Sequence, residues 1–272
     1  MHAMILSRLP FLLLSSLFAT LNAEVTFSPQ SDYYTIGLKG IGEITSSASA
    51  IFSAGGKNHR IGTKDLSLLG EEKTSQVATP FGPAVQTDRH YGKADIPYEI
   101  TLRIKQLKDL NAVTVQGFLH NRSEQDLNLT SLEILDAISG SGKVQMGDPS
   151  HWLITPLMQH NHAETFAVMN GGCNEVGLFV NTQTQKSFLI GPVGPAEAHC
   201  RVEVRDQKIK AYAQMDRVLV SPGETRRSEE ILLIAEGTET NTDIWTRWVA
   251  ITHKARDNKG PIYGWCSWYD RT

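Results

Sequence analysis

Cysteine is scarce in this sequence: three in 272 residues, at positions 173, 200 and 266. That excludes a disulfide-built scaffold. Cys173 and Cys200 can pair in an oxidising compartment or remain two buried thiols. An excess of one charge is also missing. Lys and Arg number 26 against 29 Asp and Glu, giving a net charge of −3 with the signs interspersed. Such a surface offers no electrostatic case for nucleic acid or for an acidic membrane. No segment has the roughly 20 consecutive apolar residues that a spanning helix needs. Internal repeats and low-complexity tracts are absent as well. Oligomeric state is left open by the sequence.

The N-terminus reads as a processing signal. Met1 to Ser7 is short, Arg8 supplies positive charge, Leu9 to Leu21 is apolar, and Ala23 offers a small residue at a cut. This is the n-region, h-region and cleavage pattern of a secretory signal peptide over residues 1–23. No cysteine follows closely, so a lipid anchor is not expected. The mature chain is expected to be exported, periplasmic or extracellular, with no membrane association after cleavage.

Residues 24–239 carry the marks of a large antiparallel β-sandwich. Ala112-Val113-Thr114-Val115-Gln116 alternates like a half-buried strand. Leu127 to Leu135 is strand-like, with a helical reading left open. Arg201 to Val204 and Lys208 to Tyr212 alternate across a short connection at Arg205-Asp206-Gln207. Ser221-Pro222-Gly223-Glu224 has turn chemistry, Pro fixing φ and Gly permitting the reversal. Ile231 to Ile234 reads as a strand buried on both faces. Gly55 to Pro83, rich in Gly, Lys, Ser and Thr, reads as a long loop system. Residues 240–260 break the β pattern: Asn241 or Thr242 can cap a helix, with Ile244, Trp245, Trp248 and Ile251 on one face. His253, Lys254 and Arg256 suit its C-terminal end, and Pro261 forbids its continuation.

Several constellations look chemical until their spacing is weighed. His151, His160 and His162 include a His-x-His pair with strand geometry for a metal, yet only Glu164 adds a nearby ligand, so surface histidines are expected and no metal or other cofactor. Asp148-Pro149-Ser150-His151 has triad letters without a Gly-x-Ser-x-Gly elbow and reads as a polar turn. Trp152 beside it reads as packing. Gly140-Ser141-Gly142-Lys143 lacks phosphate-loop spacing. Asn121 and Asn128 head glycosylation sequons.

The sharpest feature is Pro261-Ile262-Tyr263-Gly264-Trp265-Cys266-Ser267-Trp268-Tyr269. Two Trp three apart on a strand face opposite ways, so one can pack inward while the other lines a cavity. Aromatic faces with polar edges suit the C–H face of a sugar; plain core packing is the competing reading.

This string resembles the Gly-Trp-Cys-Ser-Trp-Tyr segment of glycoside hydrolase family 36, the α-galactosidases and raffinose-synthase-like enzymes. The family has an N-terminal β-supersandwich followed by a (β/α)8 barrel, and the string is its first barrel strand. The resemblance implies that residues 261–272 begin a truncated barrel domain. It implies that Trp268, with Trp265 and Tyr269, belongs to a sugar subsite at the C-terminal face where barrels place their sites. Both catalytic Asp residues of the family lie on later strands and have no counterpart here, so Asp270 reads as a loop residue. Retaining hydrolysis needs two carboxylates about 5–5.5 Å apart, and a barrel needs about 250 residues. The expectation is a fragment of an exported enzyme acting on α-galactosides, without a cofactor and not catalytic alone. The alternatives are a non-catalytic carbohydrate-binding sandwich, or a fragment of a related α-N-acetylgalactosaminidase or galactosyl transferase.

Overall fold

The computed structural model describes residues 24–27, 33–137, 143–157, 166–167, 170–195 and 198–255, without the side chains of 24–27, 156–157, 166–167 and 170–174. In chain order the strands are β1 (Glu24–Phe27), β2 (Tyr34–Leu38), β3 (Gly42–Ala54), β4 (Lys57–Gly62), β5 (Ser67–Leu68), β6 (Lys73–Thr79), β7 (Gly82–Lys93), β8 (Ile96–Leu107), β9 (Ala112–Asn121) and β10 (Leu127–Asp136). They continue as β11 (Trp152–Leu157), β12 (Phe166–Ala167), β13 (Asn170–Asn174), β14 (Val176–Asn181), β15 (Ser187–Pro192), β16 (His199–Arg205), β17 (Lys208–Val220), β18 (Thr225–Arg227) and β19 (Ile231–Ile234). Helix α1 (Thr238–Thr252) follows.

Pairing is antiparallel throughout the described strands. One sheet runs β1-β2-β3-β10-β17-β16-β13, with β4 added to β3. The other runs β12-β11-β14-β15-β19-β9-β8-β7-β5, with β18 on β9 and β6 on β7. Together they make a mainly-β sandwich.

The continuous apolar sequence of β19 follows from its place. Ile231 and Leu233 face the core between the sheets, whereas Leu232 and Ile234 face a second core under α1. A strand covered on both sides has no polar face to show. The same division explains β9: Val113 and Val115 enter the first core, Ala112 enters the second, and Thr114 is buried between them because it hydrogen-bonds Glu230. Residues 112–116 are therefore fully buried at their start, not half-buried.

Turn chemistry sets the hairpins. Asp206 and Gln207, with φ of 49° and 67°, form the two-residue link between β16 and β17, where Arg205 pairs Lys208. Two positive φ values are what a type I′ hairpin turn demands. At Ser221–Glu224 the Glu224 N–H donates to Ser221 O at 3.0 Å, with Gly223 at φ 78°. Residues 55–83 are not a loop system. They hold β4, β5, β6 and the start of β7. Their polar composition reflects exposed faces: β6 at the margin of its sheet needs no apolar alternation to be a strand.

The helix also departs from expectation. It starts at Thr238, three residues before Asn241. Asn241 is buried, and its Oδ1 accepts the N–H groups of Glu236 and Gly237 from inside the first turn. Ile244, Trp245 and Trp248 are buried, but Ile251 is 55 % exposed, while Val249 in the same turn packs on the second core.

Candidate functional site

Two places carry organised chemistry: the seat of α1 and the outer face of the sheet containing β10. On the first, Trp245 Nε1 donates to Pro192 O at 2.9 Å. The Trp248 ring stacks on Phe81, from the turn between β6 and β7, at 5.8 Å between centroids. His253 Nε2 donates to Gly194 O at 3.1 Å just beyond the helix. The Phe81 ring in the β6–β7 turn and two backbone carbonyls at the end of β15 and just beyond it thus fix the direction in which the chain leaves the sandwich.

The residues singled out by the terminal motif, Trp265, Trp268 and Tyr269, lie outside the described residues, as do His160, His162, Glu164 and residues 1–23. Cys200 is buried on β16, and its carbonyl accepts the Glu175 N–H at 2.7 Å. Cys173 on β13 is opposite Val202, two positions from Cys200; its side chain is outside the description, and so is the pairing. Asp148 accepts the Ser150 N–H at 2.9 Å and its hydroxyl at 2.8 Å, and His151 is exposed, which makes that run a turn. These two bonds hold the Asp148 carboxyl below its usual range. Trp152 is buried and donates to Gly147 O, so it packs. Asn121 is buried with its amide donating to Gln125 O and Val220 O, whereas Asn128 is exposed.

The outer sheet face was not foreseen. The Glu133 side chain, 4 % exposed, sits at its centre. Its Oε2 accepts from Ser49 at 2.8 Å and from Arg60 at 2.5 Å; its Oε1 pairs Lys210 at 2.7 Å. A buried carboxylate is tolerable only with such partners. Lys210 Nζ also stands 5.1 Å from the Tyr212 ring centroid. Tyr212 Oη donates to Glu203 at 2.9 Å. Burial, then that bond and the nearby Glu203 and Glu133 charges, push the phenol up to about 12, against the opposing effect of Arg201.

Bulges give this face its relief. The register between β10 and β17 shifts between Leu129 and Ser131 and again between Glu133 and Leu135. On β17, Asp216 and Arg217 occupy the first shift with φ of 48° and 65°. The β3–β10 register also slips between Leu129 and Ser131, and again between Glu133 and Asp136. Bulges bend a strand and re-aim its side chains. Here they open a groove of about 450 Å³ walled by Ile51, Thr130, Tyr212, Gln214, Asp216 and Arg217 with Glu133 within it. A lone acid in the otherwise apolar run Leu132–Leu135 was the sequence signal for its centre. Nothing local announced its partners. Among the described residues, no group of three or more His, Cys, Asp or Glu could hold a metal ion.

No family model matches the chain, and no curated protein matches it in sequence. Solved structures do match. A variant of the GH36 α-galactosidase AgaA from Geobacillus stearothermophilus, in complex with stachyose, superposes with a TM-score of 0.51 at 13% identity, over 78% of this chain and 33% of that one. The likeness is one of fold. The α-galactosidase from Lactobacillus brevis gives a TM-score of 0.51 at 11% identity, over 75% of this chain and 31% of its own. The chain thus spans about a third of the length of these enzymes.

Proposed function

We propose that this chain is the N-terminal sandwich of an exported α-galactosidase-type glycoside hydrolase, folded ahead of a (β/α)8 barrel that cleaves α-galactosides with retention. The sandwich fold shared with two GH36 α-galactosidases carries the reading, and the 261–269 string supports it independently of the fold. On this reading α1 is the rigid exit from the sandwich. Trp245, Trp248 and His253 anchor it, so the strand that follows starts from a fixed point, and Trp265, Trp268 and Tyr269 contribute to the sugar subsite. Both catalytic carboxylates belong to the barrel, so on this reading the sandwich by itself turns nothing over.

Two measurements test this. The reading frame beyond the Thr272 codon should encode a barrel with two catalytic Asp residues, and the protein extended through it should hydrolyse nitrophenyl α-galactoside. The chain ending at Thr272 should show no turnover. A frame without a barrel, or turnover by the short chain, overturns the proposal. The alternative of a non-catalytic carbohydrate-binding sandwich draws support from the groove on the outer sheet face.

A further inference from the structure

We infer that the groove over β3, β10 and β17 is a saccharide-binding site belonging to the sandwich itself. Its lining has four charges, Glu133 and Asp216 against Lys210 and Arg217, which cancel. An anion entering it meets two carboxylates, and a cation meets an ammonium and a guanidinium. A neutral ligand avoids both penalties.

The polar groups within reach suit hydroxyls that both donate and accept. Thr130, Ser131 and Arg217 spend no side-chain hydrogen bond or ion pair on other described residues. Asp216 offers a carboxylate whose Oδ1 already accepts Gln214 Nε2 at 2.9 Å, and Gln214 is itself held by Arg201 Nε at 2.7 Å. Tyr212 and Ile51 add apolar surface, and the Tyr212 ring is fixed from two sides by Lys210 and Glu203. An immobilised aromatic beside prearranged polar groups is low in ordering cost for a ring with an apolar face and a hydroxyl rim. A volume of about 450 Å³ lies within the range of small-molecule sites.

The backbone supplies the second line of argument. Asp216 and Arg217 are consecutive non-glycine residues in the left-handed region. That conformation costs about 1–2 kcal/mol per residue. A straight continuation of β17 would avoid the cost and keep the ladder in register. The strained pair instead stands opposite the Thr130 bulge of β10, so that both rims of the groove are built by irregularities. Strain of this kind concentrates where side chains must be held for a ligand.

The inference needs only sandwich residues, and its test does not depend on a hydrolase. The full chain is titrated calorimetrically with raffinose, stachyose, cellotetraose and maltotetraose, and with trigalacturonate as an anion of similar size. At least one neutral oligosaccharide should saturate by about 10 mM, and trigalacturonate should not. The Asp216→Gly/Arg217→Gly double variant keeps the bulge, because glycine accepts positive φ, and should weaken binding about tenfold or more with a melting temperature no lower than the parent's, since it relieves the backbone strain. Tyr212→Ala should abolish binding while Tyr212→Phe, which keeps the ring, retains most of it. An Arg247→Ala control on α1 should bind as the parent does. Absence of saturation with all four neutral sugars overturns the inference. So does binding that the double variant leaves intact, or a double variant that changes only the oligomeric mass.

Discussion

Gly191 should decide whether α1 can seat. It lies on β15 beside Val176 of β14, beneath the helix. A Cβ at this position would come 2.8 and 2.9 Å from the two Val176 methyls and 3.2 Å from Trp245 Nε1. The Trp245 indole is also the donor to Pro192 O. Gly191→Ala must therefore displace a packed valine, the indole, or both. Overpacking of this kind costs about 1–3 kcal/mol, and losing the indole bond adds about 1 kcal/mol, so a loss of about 2–4 kcal/mol is expected. Val176→Ala alone, removing two buried methyl equivalents, should cost about 2 kcal/mol. Combined, the new alanine methyl occupies the vacated space. The double variant should then cost about 2–3 kcal/mol, well short of the additive sum. Urea unfolding followed by tryptophan fluorescence and by helix ellipticity at 222 nm gives all four corners of the cycle. For a domain of this size each kcal/mol is about 2–4 °C in Tm. Strict additivity, or a Gly191→Ala cost below about 0.5 kcal/mol, would refute the packing geometry assigned to this helix.

Three further outcomes are expected. Glu133→Ala strips the partner from Lys210 and Ser49, and should cost about 3 kcal/mol by chemical denaturation, with Arg60, 46 % exposed, contributing little; a loss under about 1 kcal/mol would mean that water already screens the cluster. His120 is held below its ordinary 6.5 mainly by burial, with His90 and Arg122 acting the same way and Glu99 opposing. Its neutral form favours the fold, so its contribution is present above pH 6.5 and is lost as pH falls through the lowered value; an NMR titration of the His120 ring with a midpoint at or above 6.5 would contradict this. For Tyr212, pushed up to about 12 from 10.0, the protonated phenol favours the fold, so stability should fall as pH rises between those values. Tyr212→Phe should reduce that alkaline loss, and an identical loss in the variant would show that the shift lies elsewhere.

Legibility followed the range of the forces involved. The β16–β17 hairpin, the Ser221–Glu224 turn and the doubly buried β19 were readable because a few adjacent residues dictate their backbone. The hairpins within 55–83 were not, since polar edge strands form by pairing with β3 and β7 rather than by their own apolar pattern. The helix was evident from its spacing, while its start was obscured by Asn241, whose buried amide serves the preceding loop instead of capping the helix. Glu133 was visible as a letter but not as a centre. Ser49, Arg60 and Lys210 lie 73 to 84 residues away on the N-terminal side and on a distant C-terminal strand.

By itself, then, the sequence determined the class of the protein. Period-two alternation, turn residues and an amphipathic helix require a sandwich with one helix on its surface, because each is a local consequence of burying one face and wetting the other. It also supplied the terminal string on which the hydrolase reading leans. Only the tertiary structure decided which sheet face carries a groove. Bulges on β10 and β17 coincide there through strand register, and register is settled by packing among residues that the chain keeps far apart.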